Sequence, residues 1–532
     1  MNRFKVLLPC FAVGLALAFA GCINKPVTIE ILHFNDLHSN FDSGRTTDLG
    51  GYAAVKAQLD KMRSDAVARG HQTLVLDGGD SFEGSPYFMA GNGSESMRLL
   101  AAMGADATVI GNHDFLMGPT DFNRLVGEAP LGFKFVSGNI DFDARRYPAL
   151  GQNLKRYVTF TKGGLRIAVI GLTTDSPFYR WAAGDVAIVS PFLRAQELVA
   201  KLRVQNDIII VLSHLGTSDD TKLARMTTGI DLIVGAHDHV ALPQPLIVKN
   251  LTGGKVPILQ SAPFGEGIGQ LTITINKDRT SAINGYQIVP VRGNVTGLRD
   301  AAVDQLVRNA AARLETQYGT SWLNEQLAIS KSPLANDENA GTNLGGLTAQ
   351  AFQDSAHTDI ALDFGEFHGF TQPAGAISRR SLLKVYPRMF ELKPLGWTLY
   401  TMELPGAVLQ EALSLLASSS GFQFTVAGAS YDLNVVNGSR TLSNLKIGGE
   451  AVDLVKIYTI AIPEALARGA VEIPKLYEGP LASVLTDISA SGDRMIMGFV
   501  VKELSAFNTT IKDTGVPIWS ILETRMRALK NF

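Results

Sequence analysis

From Val27 to about Val289 the chain alternates short runs rich in Val and Ile with stretches whose apolar residues recur at helical spacing. Val27–Phe34 (VTIEILHF) reads as a first strand. Ala54, Val55, Leu59 and Met62 lie on one face of a helix predicted over 51–68. A strand follows at Thr73–Leu76, then a helix near Glu95–Met103. Ala107–Ile110, Ile167–Ile170, Ile208–Leu212 and Leu232–Val234 are further strands. Alternation of this kind implies an α/β layered domain. Beyond it, Val303, Leu306, Val307, Ala310 and Leu314 share one face of a helix from Asp300 to about Gln317. That helix ends at Gly319 and is expected to connect two domains. The division predicted is a leader over 1–22, a first domain over 23–295, a connecting helix over 296–320 and a second, mixed α+β domain over 321–532.

The leader has its own pattern. Arg3 and Lys5 precede Val6–Ala20, an apolar run of 15 residues with Pro9 inside it. A spanning helix needs about 20, and the charge and length fit a secretory signal. The run closes on Phe19-Ala20-Gly21-Cys22, which resembles a bacterial lipobox. Cys22 is then expected to carry a diacylglyceryl group and to hold the protein at the cell envelope by lipid alone. Ordinary cleavage after Ala20, giving a soluble periplasmic or secreted protein, is the alternative.

Composition narrows the chemistry. Lys+Arg number 48 against 50 Asp+Glu, a net charge of −2. Without a basic excess, a nucleic-acid polymer is not an expected partner. Two cysteines are too few for a disulfide framework or a cysteine zinc site.

The histidines are the informative residues. Of nine, five fall at strand ends: His38, His113, His214, His237 and His239. Val27–Phe34 runs into Asn35-Asp36-Leu37-His38, and Thr73–Leu76 into Asp77-Gly78-Gly79-Asp80. Ala107–Ile110 runs into Gly111-Asn112-His113-Asp114, Ile208–Leu212 into Ser213-His214, and Leu232–Val234 into Gly235-Ala236-His237-Asp238-His239. Ligands collect beyond the carboxyl ends of strands in open α/β sheets. Carboxylates, an amide oxygen and imidazoles together suit Zn, Mn, Fe or Co, and a carboxylate can bridge two such ions. His33, mid-strand, reads as a packed core residue, and Asp77, Asp114 and Asp238 as turn or supporting carboxylates. His71, His357 and His368 read as surface or structural.

These motifs, in this order, resemble the calcineurin-like metallophosphoesterases, and most closely the secreted bacterial 5′-nucleotidase/UDP-sugar hydrolase/2′,3′-cyclic phosphodiesterase group. The resemblance implies a layered sandwich domain and a 5′-nucleotidase C-terminal-like domain. It implies two divalent ions: Asp36, His38 and His239 on one, Asn112, His214 and His237 on the other, Asp80 on both. A metal-bound hydroxide would attack the phosphorus of a small phosphoester, with His113 over the phosphate as proton donor or charge stabiliser. One position departs. The family follows Asn-His-Glu/Asp-Phe with an Asp that orients the histidine, and this chain has Leu116 there. Leu116 cannot accept a hydrogen bond, so His113 is expected to lose its orienting partner.

The second domain keeps the family's frame in Pro373–Ser378, Leu382–Pro387 and Met402–Gly406. Its functional positions differ. Where the family reads Asn-Gly-Gly-Gly-Ile-Arg, this chain reads Asp363-Phe364-Gly365-Glu366-Phe367-His368. The family's upstream Arg is absent, and Ala465 and Val471 replace a Phe and an Asp. His368, Phe422 and Phe424 remain as candidate substrate contacts. The expected activity is metal-dependent phosphoester hydrolysis, 5′-nucleotidase-like. The alternatives are a phosphomonoesterase for non-nucleotide substrates and a metal-binding envelope lipoprotein with degenerate activity.

Overall fold

The computed structural model describes residues 25–532 except 131, 279, 336–342, 389–395, 419–423, 477–498 and 502. The leader with Cys22, and Phe422, lie outside the described residues.

The predicted strands form two stacked sheets. The first, edge to edge, is Ser281–Pro290, Gly267–Ile275, Val27–Phe34, Gln72–Asp77, Ala107–Val109, Phe135–Val136 and Leu154–Lys155. The second is Leu246–Lys249, Lys255–Leu259, Leu232–Val234, Ile208–His214, Leu165–Thr173 and Tyr157–Lys162. Alternate side chains point to opposite faces of a strand, and both faces here are apolar. Ile29, Ile31, Leu74, Leu76 and Val109 meet Ile167, Val169, Ile210, Leu212 and Val234 between the sheets. Leu32, Phe34 and Val75 face the other way, onto Val55, Leu59 and Met62 of the helix Tyr52–Ala68. Ile209, Val211 and Ile233 pack on Ala195, Leu198 and Val199 of the helix Pro191–Arg203. Val27–Phe34, Gln72–Asp77 and Ala107–Val109 are mutually parallel, as are Ile208–His214 and Leu232–Val234.

The helix Ala301–Tyr318 starts where predicted, with the Asp300 side chain accepting from Val303 N at 2.8 Å. It does more than connect. Val303, Val307, Ala310 and Leu314 share one buried cluster with residues of both domains, such as Leu59 and Leu99 on one side and Leu327 and Ile521 on the other.

The second domain is built around a five-stranded sheet ordered Phe424–Ala427, Ile360–Phe364, Ile457–Pro463, Thr398–Pro405, Lys512–Pro517. Its register pairs Phe364 with Phe424. Polar contacts tie it to the first domain. Arg380 Nη1 reaches Asp42 Oδ2 and the Tyr87 hydroxyl, both at 2.7 Å, and Lys384 Nζ reaches Asp42 Oδ1 at 3.3 Å and Ser43 Oγ at 3.2 Å. Burial alone would raise the pKa of Asp42, but Lys384 and Arg380 outweigh it and hold the carboxyl below its usual range. A lowered folded pKa stabilises above the unfolded value, about 3.9, and the stabilisation is lost as pH falls through the folded one. Asp42→Asn is therefore expected to cost about 1–2 kcal/mol at neutral pH. In paired denaturant titrations the gap to wild type should close below about pH 4. A gap that stayed constant with pH would show that the charge of Asp42 contributes nothing.

Candidate metal centre

The five strand ends bring their polar residues to one place. Asp36, His38 and His239 form one group whose ligand atoms lie within 4.8 Å of one another, and Asp80, His214 and His237 form another. Asn112 joins the second group, its Oδ1 3.1 Å from His214 Nε2. Asp80 touches both: its Oδ2 lies 3.1 Å from His214 Nε2 and 3.7 Å from His38 Nε2. His214 is the last residue of its strand rather than part of the following loop.

Backbone geometry marks the same residues. Asp36, His38, Asp80, His237 and His239 all have positive φ, between 47° and 91°. A non-glycine residue there costs about 1–2 kcal/mol, and such strain concentrates at functional sites. The turns are close-packed as well. A Cβ on Gly111 would meet Asp80 Oδ1 at 2.1 Å, so only glycine lets the two loops touch.

The donor chemistry calls for cations. His214 Nδ1 lies 2.6 Å from the Gly78 carbonyl, which only accepts, so Nδ1 carries the proton and donates. Its Nε2 then faces two oxygens, Asp80 Oδ2 and Asn112 Oδ1, at 3.1 Å. His38 Nε2 and His239 Nε2 face each other at 3.0 Å. Imidazole nitrogens and carboxylate oxygens gathered this closely are the donor set that borderline divalent cations take. Without an ion the buried groups act strongly on one another. Burial opposes protonation of His214, yet the Asp80 and Asp36 carboxylates hold its pKa up at about 10. Burial and the Asp80 charge push Asp36 up to about 7. Burial pushes His239 down to about 3 and, with the His214 charge, His237 down to about 4. The donor set of each group fits a divalent ion.

Supporting residues hold the loops. Asp36 accepts from Asn35 Nδ2 at 2.6 Å and from His237 N at 3.2 Å. Asp77 accepts from Gly79 N and Ser81 Oγ, both at 3.2 Å, as a turn residue should. Asp238 accepts from Thr217 N at 2.8 Å and Gln260 Nε2 at 2.5 Å. Asp114 accepts four backbone N–H groups, from Asp80, Ser81, Phe82 and Gly111, at 2.8–3.1 Å. His33 is fully buried and stacks on Tyr286.

Two expectations need correction. His113 keeps a carboxylate partner despite Leu116: its Nδ1 lies 2.7 Å from Glu83 Oε2, and its backbone N donates to Asp80 Oδ1 at 2.8 Å. The acid comes from the loop after Gln72–Asp77 instead of from the turn after His113. Burial opposes protonation of His113, but Asp80 and Glu83 raise its pKa above the ordinary value. Phe424 is not among the described residues lining the cleft; its ring packs on Phe364 and Tyr431 in the second domain.

The cleft, about 1000 Å³, runs from the histidines into the second domain. His368 lines it but is committed to Asp363, with Nε2 2.6 Å from Oδ2. Sequence reading missed Arg388. Its Nε and Nη2 donate to the Phe367 and Glu366 carbonyls at 3.1 and 2.6 Å, and its Nη1 stands 3.6 Å from Glu83 Oε2. Phe364, Phe367, Phe370 and Trp397 line the same wall.

A stacked sandwich with Asp, Asn and His donors at the strand ends is the architecture of the calcineurin-like phosphoesterases, whose family profile matches residues 29–241. The profile for the 5′-nucleotidase C-terminal domain matches residues 320–478. The chain belongs to the calcineurin-like phosphoesterases that carry this second domain, a family of metal-dependent phosphoester hydrolases. It is 27% identical to the 5′-nucleotidase of Vibrio cholerae over 540 residues, covering 90% of this chain and 93% of that one. It is 28% identical to protein UshA of Yersinia enterocolitica, covering 89% and 92%. The crystal structure of a 5′-nucleotidase precursor from Thermus thermophilus superposes with a TM-score of 0.76 at 25% identity, covering 95% and 97%.

Proposed function

We propose that the protein is an exported, dinuclear, 5′-nucleotidase-like hydrolase of small phosphoesters. The observation that carries this is the convergence of two groups of metal-ligating side chains, with Asp80 Oδ2 3.1 Å from His214 Nε2 in one and 3.7 Å from His38 Nε2 in the other. Asp36, His38 and His239 would hold one ion, Asn112, His214 and His237 the other, and Asp80 both. A divalent pair there would supply Lewis acidity toward phosphoryl oxygens and an activated water. The residues of the chain do the rest. His113 presents the ring nitrogen that Glu83 does not engage, and donates a proton to the departing oxygen or stabilises its charge. Arg388, fixed by two carbonyls, brings a permanent positive charge from the second domain toward the phosphate. Cys22 would carry the lipid that keeps the protein at the envelope; the apolar run closing on Ala20-Gly21-Cys22 motivates this. Cys22→Ser should move the protein from the membrane fraction to the soluble one, and a soluble wild type would favour ordinary signal cleavage.

Nucleotide preference is the weaker part of the family's character here. His368 is paired to Asp363, Phe424 packs on Phe364 and Tyr431, and Ala465 lines the wall in place of an aromatic ring. Losing one bidentate contact to a charged group costs about 1.5–3 kcal/mol, roughly ten- to a hundredfold in affinity. A phosphoester panel on purified, metal-loaded protein tests the reading. Turnover of p-nitrophenyl phosphate or its bis-ester is expected, with AMP and UDP-glucose showing no large advantage in kcat/KM. An AMP specificity constant on the order of a thousandfold above the generic ester would show a nucleotide pocket rebuilt from other residues. No turnover of any ester with both ions bound would leave a binding lipoprotein.

A further inference from the structure

We propose that Glu83 is the positioning residue of His113, taking over from the neighbouring loop the task that the family gives to an acid at the Leu116 position. The inference rests on the role given to His113 above and goes beyond it. Glu83 is fully buried. Its Oε2 lies 2.7 Å from His113 Nδ1, and an ionised carboxylate only accepts, so Nδ1 must donate. That hydrogen bond selects the tautomer and turns the other ring nitrogen to the reacting group, as second partners of catalytic imidazoles do. The ring is held from the other end by its own backbone N–H on Asp80 Oδ1.

The local chain is shaped around this contact. Glu83 has φ 59°, a conformation a long side chain adopts only when its surroundings impose it. Gly84 follows it, and a Cβ there would meet the His38 side chain at 2.5 Å. The turn thus runs tight against His38 and delivers the carboxylate to His113, whose ring stands edge to face with that of His38 at 4.8 Å. Arg388 Nη1, 3.6 Å from the same Oε2, gives the carboxylate a counter-charge from the second domain. A competing role exists, because the ligand atoms of His38, Glu83 and His113 also lie within 4.8 Å of one another and could share a cation.

The test compares wild type, Glu83→Gln, Glu83→Asp, His113→Asn and the double variant Glu83→Gln/His113→Asn. Each is assayed with p-nitrophenyl phosphate and phenyl phosphate, and bound metal is counted. Glu83→Gln should lower kcat about tenfold to a hundredfold, with KM little changed and full metal content. The loss should be larger for phenyl phosphate, whose leaving group needs the proton more. Glu83→Asp should recover part of the loss. In the His113→Asn background Glu83→Gln should add nothing, because the two act as one unit. Loss of metal in Glu83→Gln would make Glu83 a ligand and overturn the proposal. So would Asp performing no better than Gln, or additive losses in the double variant. Full activity of His113→Asn would instead overturn the role of His113 itself, whatever Glu83 does.

Discussion

Asp80→Asn is expected to lower phosphoester turnover on the order of a thousandfold or more and to leave fewer than about one ion per chain after metal loading. The substitution is a mild one everywhere except at the proposed metal sites. Asn tolerates positive φ nearly as well as Asp, so the backbone at φ 52° need not move. The amide oxygen can still accept from His113 N, now served by Asp80 Oδ1 at 2.8 Å. What disappears is the charge of the oxygen that stands 3.1 Å from His214 Nε2 and 3.7 Å from His38 Nε2. With its oxygen kept on His113 N, the amide would turn an NH2 toward the two donor groups, and each proposed ion would lose a ligand. Elemental analysis and steady-state kinetics on the same preparation check this. Two ions per chain in Asp80→Asn, with turnover near wild type, would place the shared ligand elsewhere.

The strands and the candidate metal donors were legible in the sequence for a simple reason. A strand of Val and Ile ends where polar residues begin, and parallel strands put those ends on one edge. Asp36, His38, Asp80, Asn112, His214, His237 and His239 could each be read from a strand and the next few residues. Contacts between loops carry no such local sign. Glu83 follows Asp80 by three positions, but only the fold shows that its side chain returns beneath His113. Leu116 therefore suggested a missing partner when the partner had moved to another loop. The one sequence signal was a carboxylate beside Gly84 within the metal-site turn.

The position of Phe424 was hidden for a related reason. Phe424 opens the strand Phe424–Ala427, and the register that decides which face it shows is set by pairing with Phe364, sixty residues earlier in the chain. Periodicity gives alternation along a strand, not which side faces a cleft. Arg388 was missed because it lies outside any motif and reaches the centre only by docking of the second domain.

Asp114→Ala should be among the most destabilising substitutions in the first domain, although Asp114 binds no proposed metal. It is buried, and its two oxygens accept the backbone N–H groups of Asp80, Ser81 and Phe82 from one loop and Gly111 from the next. Burial, with the Asp80 charge, pushes its pKa up to about 6, so the site opposes the ionised carboxylate while the four donors favour it. Alanine leaves those donors without an acceptor. Each buried, unpaired N–H costs about 1–3 kcal/mol. Water entering the space left by the carboxylate would satisfy some of them, so a total of about 3–5 kcal/mol is expected. The loop that loses its anchor is the one that aims Asp80, so metal affinity should fall along with stability. Asp238→Ala is the matched control: Asp238 accepts from Thr217 N and Gln260 Nε2 at the surface side of the centre, where water can replace it, and its loss should cost about 1 kcal/mol. Urea unfolding of the two variants, each with and without added metal, separates the effects. Equal stabilities for Asp114→Ala and Asp238→Ala would mean that the turn carrying Asp80 is held by its packing rather than by the Asp114 carboxylate.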